Sequence, residues 1–212
     1  RDVLGSRGLG DVYKRQTNRK AGIRAITLDE DDHLINVIRT NGDDDIVLAT
    51  AFGYAICFNE NDVRCMGRDA AGVRGIMLTD GDYVVGAEKA EEGKTLLTVT
   101  QNGYGKRTAL TEYLRTGPNG EKQAQSRGGK GLKNYNITPK TGNVAGCRVV
   151  SESDDVMLIE NGGVIIRIPA SSINVYKRDV QGVIVMRIDD GNQVVSLERV
   201  EKMDEEETGE QA

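Results

Sequence analysis

The chain has 212 residues, with 28 Lys and Arg against 33 Asp and Glu, a formal net charge of −5, 26 glycines, no tryptophan and only 4% aromatic residues. That length fits one domain or a piece of something larger; the longest uncharged apolar stretch, residues 46–58, is broken by Thr50 and Gly53 and falls short of the roughly 20 residues a membrane-spanning helix needs, so no membrane span is expected. Three cysteines (Cys57, Cys65, Cys147) without CxxC spacing indicate neither a disulfide framework nor a structural zinc site and point to a reducing, cytoplasmic compartment, and the single His33 offers no basis for a Ser-His-Asp triad or a multi-histidine metal centre.

Residues 6–16 follow no periodic pattern and read as the conceptual translation of a transposase-based sequencing adapter. Residues 1–16 are therefore set aside from fold reasoning, and the gene is expected to begin upstream. From residue 17 onward the chain repeats. An early copy, Gly22 to Ile35, keeps a landmark glycine but has Asn18 where later copies have arginine. A strand–turn–strand unit then covers residues 45–58, 95–108 and 155–167, centred on Gly53, Gly103 and Gly162 at spacings of 50 and 59. A second landmark, Arg-x-x-x-Gly before an aliphatic residue, interleaves with it as Arg68/Gly72, Arg127/Gly131 and Arg178/Gly182. Asn102-Gly103 and Asn161-Gly162 are expected to supply the positive φ of tight hairpin turns, and the flanking β-branched residues favour strands.

Each repeat is thus a small antiparallel sheet, too small to bury both faces alone; a radial array buries each sheet against its neighbours. The expected fold is all-β, a propeller-like array of four-stranded blades of about 50 residues each, incomplete at the N-terminus, with three to four blades over residues 17–200. The longer middle interval is assigned to a loop within Leu114–Gln125, where Gly117, Pro118, Asn119 and Gly120 cluster. Residues 201–212 carry six acids and one lysine, which accounts for the whole net charge. They read as a disordered acidic tail that competes with polyanions for basic surface. Conversely, the window 101–140 holds eight bases against two acids, an electrostatic footprint suited to phosphates.

Catalytic motifs are lacking. In Gly103–Thr108, Arg107 stands where a Walker A loop needs Ser or Thr, and the string does not continue as GxGxxG. Asp43, Asp44 and Asp45 follow Asn41-Gly42 and read as a solvated turn rather than a Mg²⁺ site, and His33 reads as a surface residue beside acids. Tyr54, Tyr104 and Tyr113 recur near hairpin turns and read as packing residues with a polar tip.

The strings Thr100–Tyr113, Met66–Ile76 and Arg178–Ile184, with the acidic tail, closely resemble the family of DNA gyrase A C-terminal domains, and the resemblance runs from residue 20 onward. It implies a β-pinwheel that wraps duplex DNA around a basic rim. It also implies an A2B2 holoenzyme in which Mg²⁺ and ATP, bound on gyrase B, drive negative supercoiling, while this chain carries no catalytic residue and no cofactor. Gln125–Gly131 matches the family's Q-R-R-G-G-K-G gyrase box except at Ser126, but it follows two earlier repeats, so it is a box-like copy in a later blade.

Wrapping needs a curved stripe of cations that neutralise phosphates without reading bases. The residues assigned to it are Arg64, Arg68, Arg74, Lys106, Arg107, Arg127, Lys130, Lys133, Lys177 and Arg178, with Gly128 and Gly129 letting the backbone approach phosphates. Two alternatives stay open: the topoisomerase IV paralogue, and a propeller-like protein-interaction scaffold whose bases only keep its rim soluble.

Overall fold

The computed structural model describes residues 23–200, and the three repeats that hold strands there each open with a hairpin. The adapter-like residues 1–16 and the acidic tail 201–212 lie outside the described residues. The hairpins are β1 (Asp45–Thr50) with β2 (Tyr54–Asn59), β4 (Thr95–Thr100) with β5 (Tyr104–Ala109), and β10 (Asp155–Glu160) with β11 (Ile165–Pro169). Gly53 N–H donates to the Thr50 carbonyl at 3.1 Å, Gly103 to Thr100 at 3.0 Å and Gly163 to Glu160 at 3.0 Å. These glycines have φ of 80°, 76° and 93°, the left-handed conformation that the end of a type I turn needs before the chain re-enters a strand. The third turn glycine is therefore Gly163 and not Gly162 as the spacing suggested. The left-handed position comes last in the turn, so in Asn161-Gly162-Gly163 the second glycine fills it.

A third strand then packs on the first strand of its own hairpin: β3 (Val84–Lys89) on β1, β9 (Val144–Val150) on β4, and β13 (Val194–Val200) on β10. All three pairings are antiparallel and slip at the same place, at Ala49/Thr50, Val99/Thr100 and Ile159/Glu160. The fourth strand comes from elsewhere. β8 (Leu132–Lys133) leaves the second repeat to pair with β2 of the first, Leu132 opposite Ala55 and Lys133 opposite Tyr54. β12 (Val183–Ile184) leaves the third repeat to pair with β5 of the second, Val183 opposite Gly105 and Ile184 opposite Tyr104. The sheets run β3-β1-β2-β8, β9-β4-β5-β12 and, with three strands among the described residues, β13-β10-β11. The insertion in the middle repeat is a short ribbon, β6 (Arg115–Thr116) and β7 (Lys122–Gln123), closed by Gly120 N–H donating to the Gly117 carbonyl at 3.0 Å.

The core lies between the sheets. Val47, Ala49, Ala55 and Cys57 of the first sheet meet Leu96, Cys147 and Val149 of the second, with Leu110 and Tyr113 from the turn after β5. Leu97, Val99 and Val150 of the second sheet meet Val156, Leu158 and Leu197 of the third. Adjacent Leu96 and Leu97 thus point into opposite interfaces, which is why β4 is buried without alternation whereas β10 alternates buried and half-buried residues. Burial pushes the Cys57 and Cys147 thiols up to about 12, so both behave as small apolar groups, and all three cysteines are free.

Donation of the outer strand makes the turn glycines into contact points. A Cβ on Gly103 would overlap the Met186 carbonyl oxygen, whereas one on Gly163 meets nothing within 4 Å. Both Gly103→Ala and Gly163→Ala incur the left-handed cost of about 1–2 kcal/mol. Gly103→Ala is expected to lose about 1–3 kcal/mol more, because the donated strand must move. Chemical denaturation of the two variants checks this, and equal losses would show that the donated strand does not bear on the turn.

Candidate nucleic-acid interface

The segments joining each hairpin to its third strand hold most of the basic candidates, and they lie side by side. Each passes a left-handed glycine, Gly72 (φ 92°), Gly131 (φ 74°) or Gly182 (φ 71°), and after the last two the chain pairs with the neighbouring sheet. For Gly131 and Gly182 no side chain fits, since a Cβ would overlap the carbonyl oxygen of Ala55 or Gly105. Successive connectors are stitched together by the landmark arginines. Arg127 donates through Nη1 to the Arg74 carbonyl at 2.5 Å and through Nε to the Asp62 carbonyl at 3.0 Å. Arg178 makes the corresponding contact one repeat later, Nη1 to the Lys133 carbonyl at 3.4 Å. Backbone bonds reinforce the first seam: Gly128 N–H to the Gly75 carbonyl at 2.7 Å, and Met77 N–H to that of Gly129 at 2.8 Å.

Arg64, Arg68 and Arg74 on the first connector, Lys130 and Lys133 on the second and Lys177 on the third are exposed, and Arg127 and Arg178 are half-buried between connectors. Lys130 Nζ sits 5.1 Å from the centre of the Tyr54 ring, and Lys133 Nζ donates to Asn136 Oδ1 at 3.0 Å. The box-like loop divides its labour. Gln125 is buried, its N–H donating to the Cys57 carbonyl at 2.7 Å and its Nε2 to the Tyr113 carbonyl at 2.8 Å. Beside it, Tyr113 donates its hydroxyl to Asn134 Oδ1 at 2.5 Å, and Asn134 Nδ2 reaches Thr98 at 3.1 Å. Gln125 therefore anchors the loop from inside, Gly128 and Gly129 hold it to the preceding connector, and Lys130 projects to solvent.

Two assigned residues are corrected. Lys106 is fully buried, donating through Nζ to the carbonyls of Lys177 at 2.7 Å and Arg178 at 2.5 Å, above the Tyr135 ring at 5.3 Å. Arg107 is 4% exposed, with Nε on the Ile173 carbonyl at 2.7 Å and Nη2 3.6 Å from Glu152. Neither lies at the surface: both hold the third connector onto the second sheet. Aligning the hairpins residue by residue carries the missed signal, because Lys106 fills the slot of Ile56 and Ile166, a core position in a β-strand. Two bases outside the assigned set join the row instead. Arg115 and Lys122, on the β6–β7 ribbon, line a cleft of about 390 Å³ with Arg178, Glu112 and Leu132. Their contribution to the basic window is visible in the sequence, but their placement depends on the ribbon that Gly117–Gly120 closes.

Burial lowers Lys106 from 10.5 to about 7, partly opposed by Asp179. Between those values the unfolded chain holds one more proton than the folded one, so stability rises with pH across the interval and falls as pH drops from 10.5 toward 7. Lys106→Met is expected to flatten that dependence in denaturation curves taken between about pH 7 and pH 10. An unchanged slope would assign the dependence to another group.

A family model described as DNA gyrase C-terminal domain, beta-propeller, matches residues 14–41, 44–91, 94–122, 123–151 and 154–201, segments that coincide with the repeats. The DNA gyrase A protein of Staphylococcus epidermidis (strain ATCC 12228 / FDA PCI 1200) is 42% identical over 188 residues, 88% of this chain and 20% of that protein. Its counterpart in Escherichia coli (strain K12) is 40% identical over 190 residues, 89% of this chain and 21% of that protein. A solved DNA gyrase A C-terminal domain superposes with a TM-score of 0.72 at 29% identity, covering 85% of this chain and 58% of that one. The C-terminal domain of a DNA topoisomerase IV gives 0.75 at 28% identity, covering 84% and 53%. The chain spans about a fifth of the length of the curated relatives it matches. With most of its residues matched by that model, the chain belongs to the DNA gyrase C-terminal domain, beta-propeller, family.

Proposed function

We propose that this chain is the non-catalytic module of a type II topoisomerase, DNA gyrase, that binds duplex DNA and wraps it with a fixed hand. The observation that carries this reading is the row of exposed bases held together by the Arg127–Arg74 and Arg178–Lys133 contacts, on connectors that step from sheet to sheet. Such a row suits a polyanion followed along its backbone: phosphate contacts fix position without selecting sequence. The contact energy must exceed the cost of bending, on the order of 1–6 kcal/mol for 40–90° over 20–30 base pairs, so a repeated cationic connector is the economical arrangement. A wrap of fixed hand would present a crossing of one sign to the cleavage core of the parent enzyme. In that reading the parent works in the cytoplasm as an A2B2 assembly, and ATP with Mg²⁺ acts on gyrase B. The DNA-facing residues are Arg64, Arg68, Arg74, Arg127, Lys130, Lys133, Lys177 and Arg178, joined by Arg115 and Lys122.

The topoisomerase IV paralogue is a second reading, favoured by the TM-score of 0.75 to that enzyme's C-terminal domain. The identities of 40–42% to gyrase A proteins favour the first. Negative supercoiling by the full-length parent, rather than relaxation or decatenation alone, separates the two.

The salt dependence of DNA binding tests the interface itself. Each lost phosphate contact lowers the slope of log K against log salt by about 0.9, so a Lys130→Gln/Lys133→Gln double variant is expected to lower it by about 2. Lys106→Met is expected to leave it unchanged. An unaltered slope in the double variant removes this connector from the DNA path, and absence of salt-sensitive binding in the parent chain favours the interaction-scaffold reading.

A further inference from the structure

The tyrosines do not share one role. Tyr113 and Tyr135 are fully buried and donate their hydroxyls inward, to Asn134 Oδ1 and to the Gln181 carbonyl. Tyr54 and Tyr104, the first residues of β2 and β5, come directly after the left-handed turn glycines and are half-buried. Their hydroxyls have no hydrogen-bond partner among the described residues. Each ring instead carries an ammonium group: Lys130 Nζ lies 5.1 Å from the centre of the Tyr54 ring, and Lys140 Nζ 5.4 Å from that of Tyr104. The third hairpin has Val164 in this slot and no ring to offer.

The two ammonium groups reach their rings by different routes. Lys133 lies opposite Tyr54 in the ladder and Ile184 opposite Tyr104, so each ring shares a face of its sheet with the outer strand donated to it. In the first sheet that connector also supplies Lys130. The next connector has Gln181 and Ile184 at the positions of Lys130 and Lys133, and so brings neither lysine to Tyr104. Lys140 fills the place from the turn before β9, where Asn102 Nδ2 donates to the carbonyls of Lys140 at 3.0 Å and Pro139 at 3.4 Å and fixes that turn against the hairpin tip. A cation missing from one element and restored from another is more than a by-product of repetition. Both lysines are exposed, and neither forms an ion pair among the described residues. By contrast Lys89 and Lys94, at the opposite end of the strands from these turns, are matched by Asp44 at 3.7 Å and Glu91 at 2.7 Å. Asp189 and Asp190 line the cleft beside Tyr104 and Lys140, but neither carboxylate pairs with the ammonium.

We propose that Tyr54 and Tyr104 are DNA-contact residues and that Lys140 is a phosphate contact on the same track, each tyrosine holding one unpaired ammonium group on its ring and donating its hydroxyl to a backbone phosphate. The proposal rests on the DNA-binding reading above and extends it from the connectors to the hairpin tips. A ring beneath the ammonium limits the conformations the lysine must give up when it meets a phosphate, and a tyrosine hydroxyl is a donor to phosphate oxygen that reads no base. At the second sheet, where the connector presents Ile184 in place of Lys133, the track passes over the hairpin tip, because the free cation there is Lys140.

The test is duplex-DNA binding by the full chain across a salt series. Lys140→Gln, at an exposed position, is expected to keep the unfolding midpoint and to lower the slope of log K against log salt by about 0.9. Lys94→Gln, at the opposite end of β4, should leave the slope as it is. Tyr54→Phe and Tyr104→Phe keep the rings and are each expected to weaken binding about three- to tenfold at fixed salt, the effect of one lost hydrogen bond. Tyr104→Leu should cost more than Tyr104→Phe, and the excess should vanish in a Lys140→Gln background, since the ring acts through that ammonium. An unaltered slope in Lys140→Gln, an equal fall in Lys94→Gln, full affinity in either phenylalanine variant, or an excess that persists without Lys140 would overturn the proposal. Any of these leaves the DNA-binding reading standing if Lys130→Gln/Lys133→Gln still lowers the slope, whereas an unsubstituted chain without salt-sensitive binding overturns both.

Discussion

The structure depends on one constraint: in both four-stranded sheets among the described residues, the hairpin is completed by a strand that belongs to the next repeat. Three strands with one apolar edge would leave main-chain N–H and C=O groups unpaired and side chains such as Tyr135 or Met186, buried here, in water. Sending the connector across to the neighbouring hairpin satisfies both, and it couples each sheet to the next through backbone as well as through the buried interfaces. The glycines at 53, 103, 131 and 182 are where this exchange is tightest, since donor and acceptor backbones meet there with no room for a Cβ. Repeat spacing, turn chemistry and sheet order all follow from that exchange.

The same constraint places the charge. A connector that must reach the adjacent sheet runs over the outside of the array, so its bases lie at the surface in register with those of the connectors on either side. The landmark arginines serve twice: their guanidinium groups cap carbonyls of the preceding connector while adding positive charge to the row. Lys106 and Arg107 show the converse, cations withdrawn from the surface to hold a connector down. Lys106 is tolerated because its ammonium meets two carbonyl oxygens and an aromatic face, and the depression of its affinity for protons records the remaining cost of burial.

Much of this is legible in the residues. The hairpins at 45, 95 and 155 and the interleaved Arg-x-x-x-Gly landmarks locate the sheets and connectors, because strand alternation and positive-φ glycines are local properties. Which strand completes which sheet is not legible: two-residue strands such as β8 and β12 carry no periodic pattern, and their pairing is decided at long range. Gly162 is mistaken for Gly163 for a local reason, since two adjacent glycines satisfy the same composition rule and only the turn geometry distinguishes them. Lys106 and Arg107 pass for surface residues when charge is weighed before position in the strand. Gln125 escapes notice because a polar residue in a basic loop gives no sign that it is buried beneath it.

Whether the connectors form a chiral path for duplex DNA is read most directly by DNA topology. Nicked circular DNA is ligated in the presence of increasing amounts of the chain, the protein is removed, and the linking number is measured. A chiral path predicts a shift of one sign that grows with protein bound. Saturating binding in the same samples with no shift in linking number would contradict it, since bases that hold DNA without bending it around the array are not a wrapping surface.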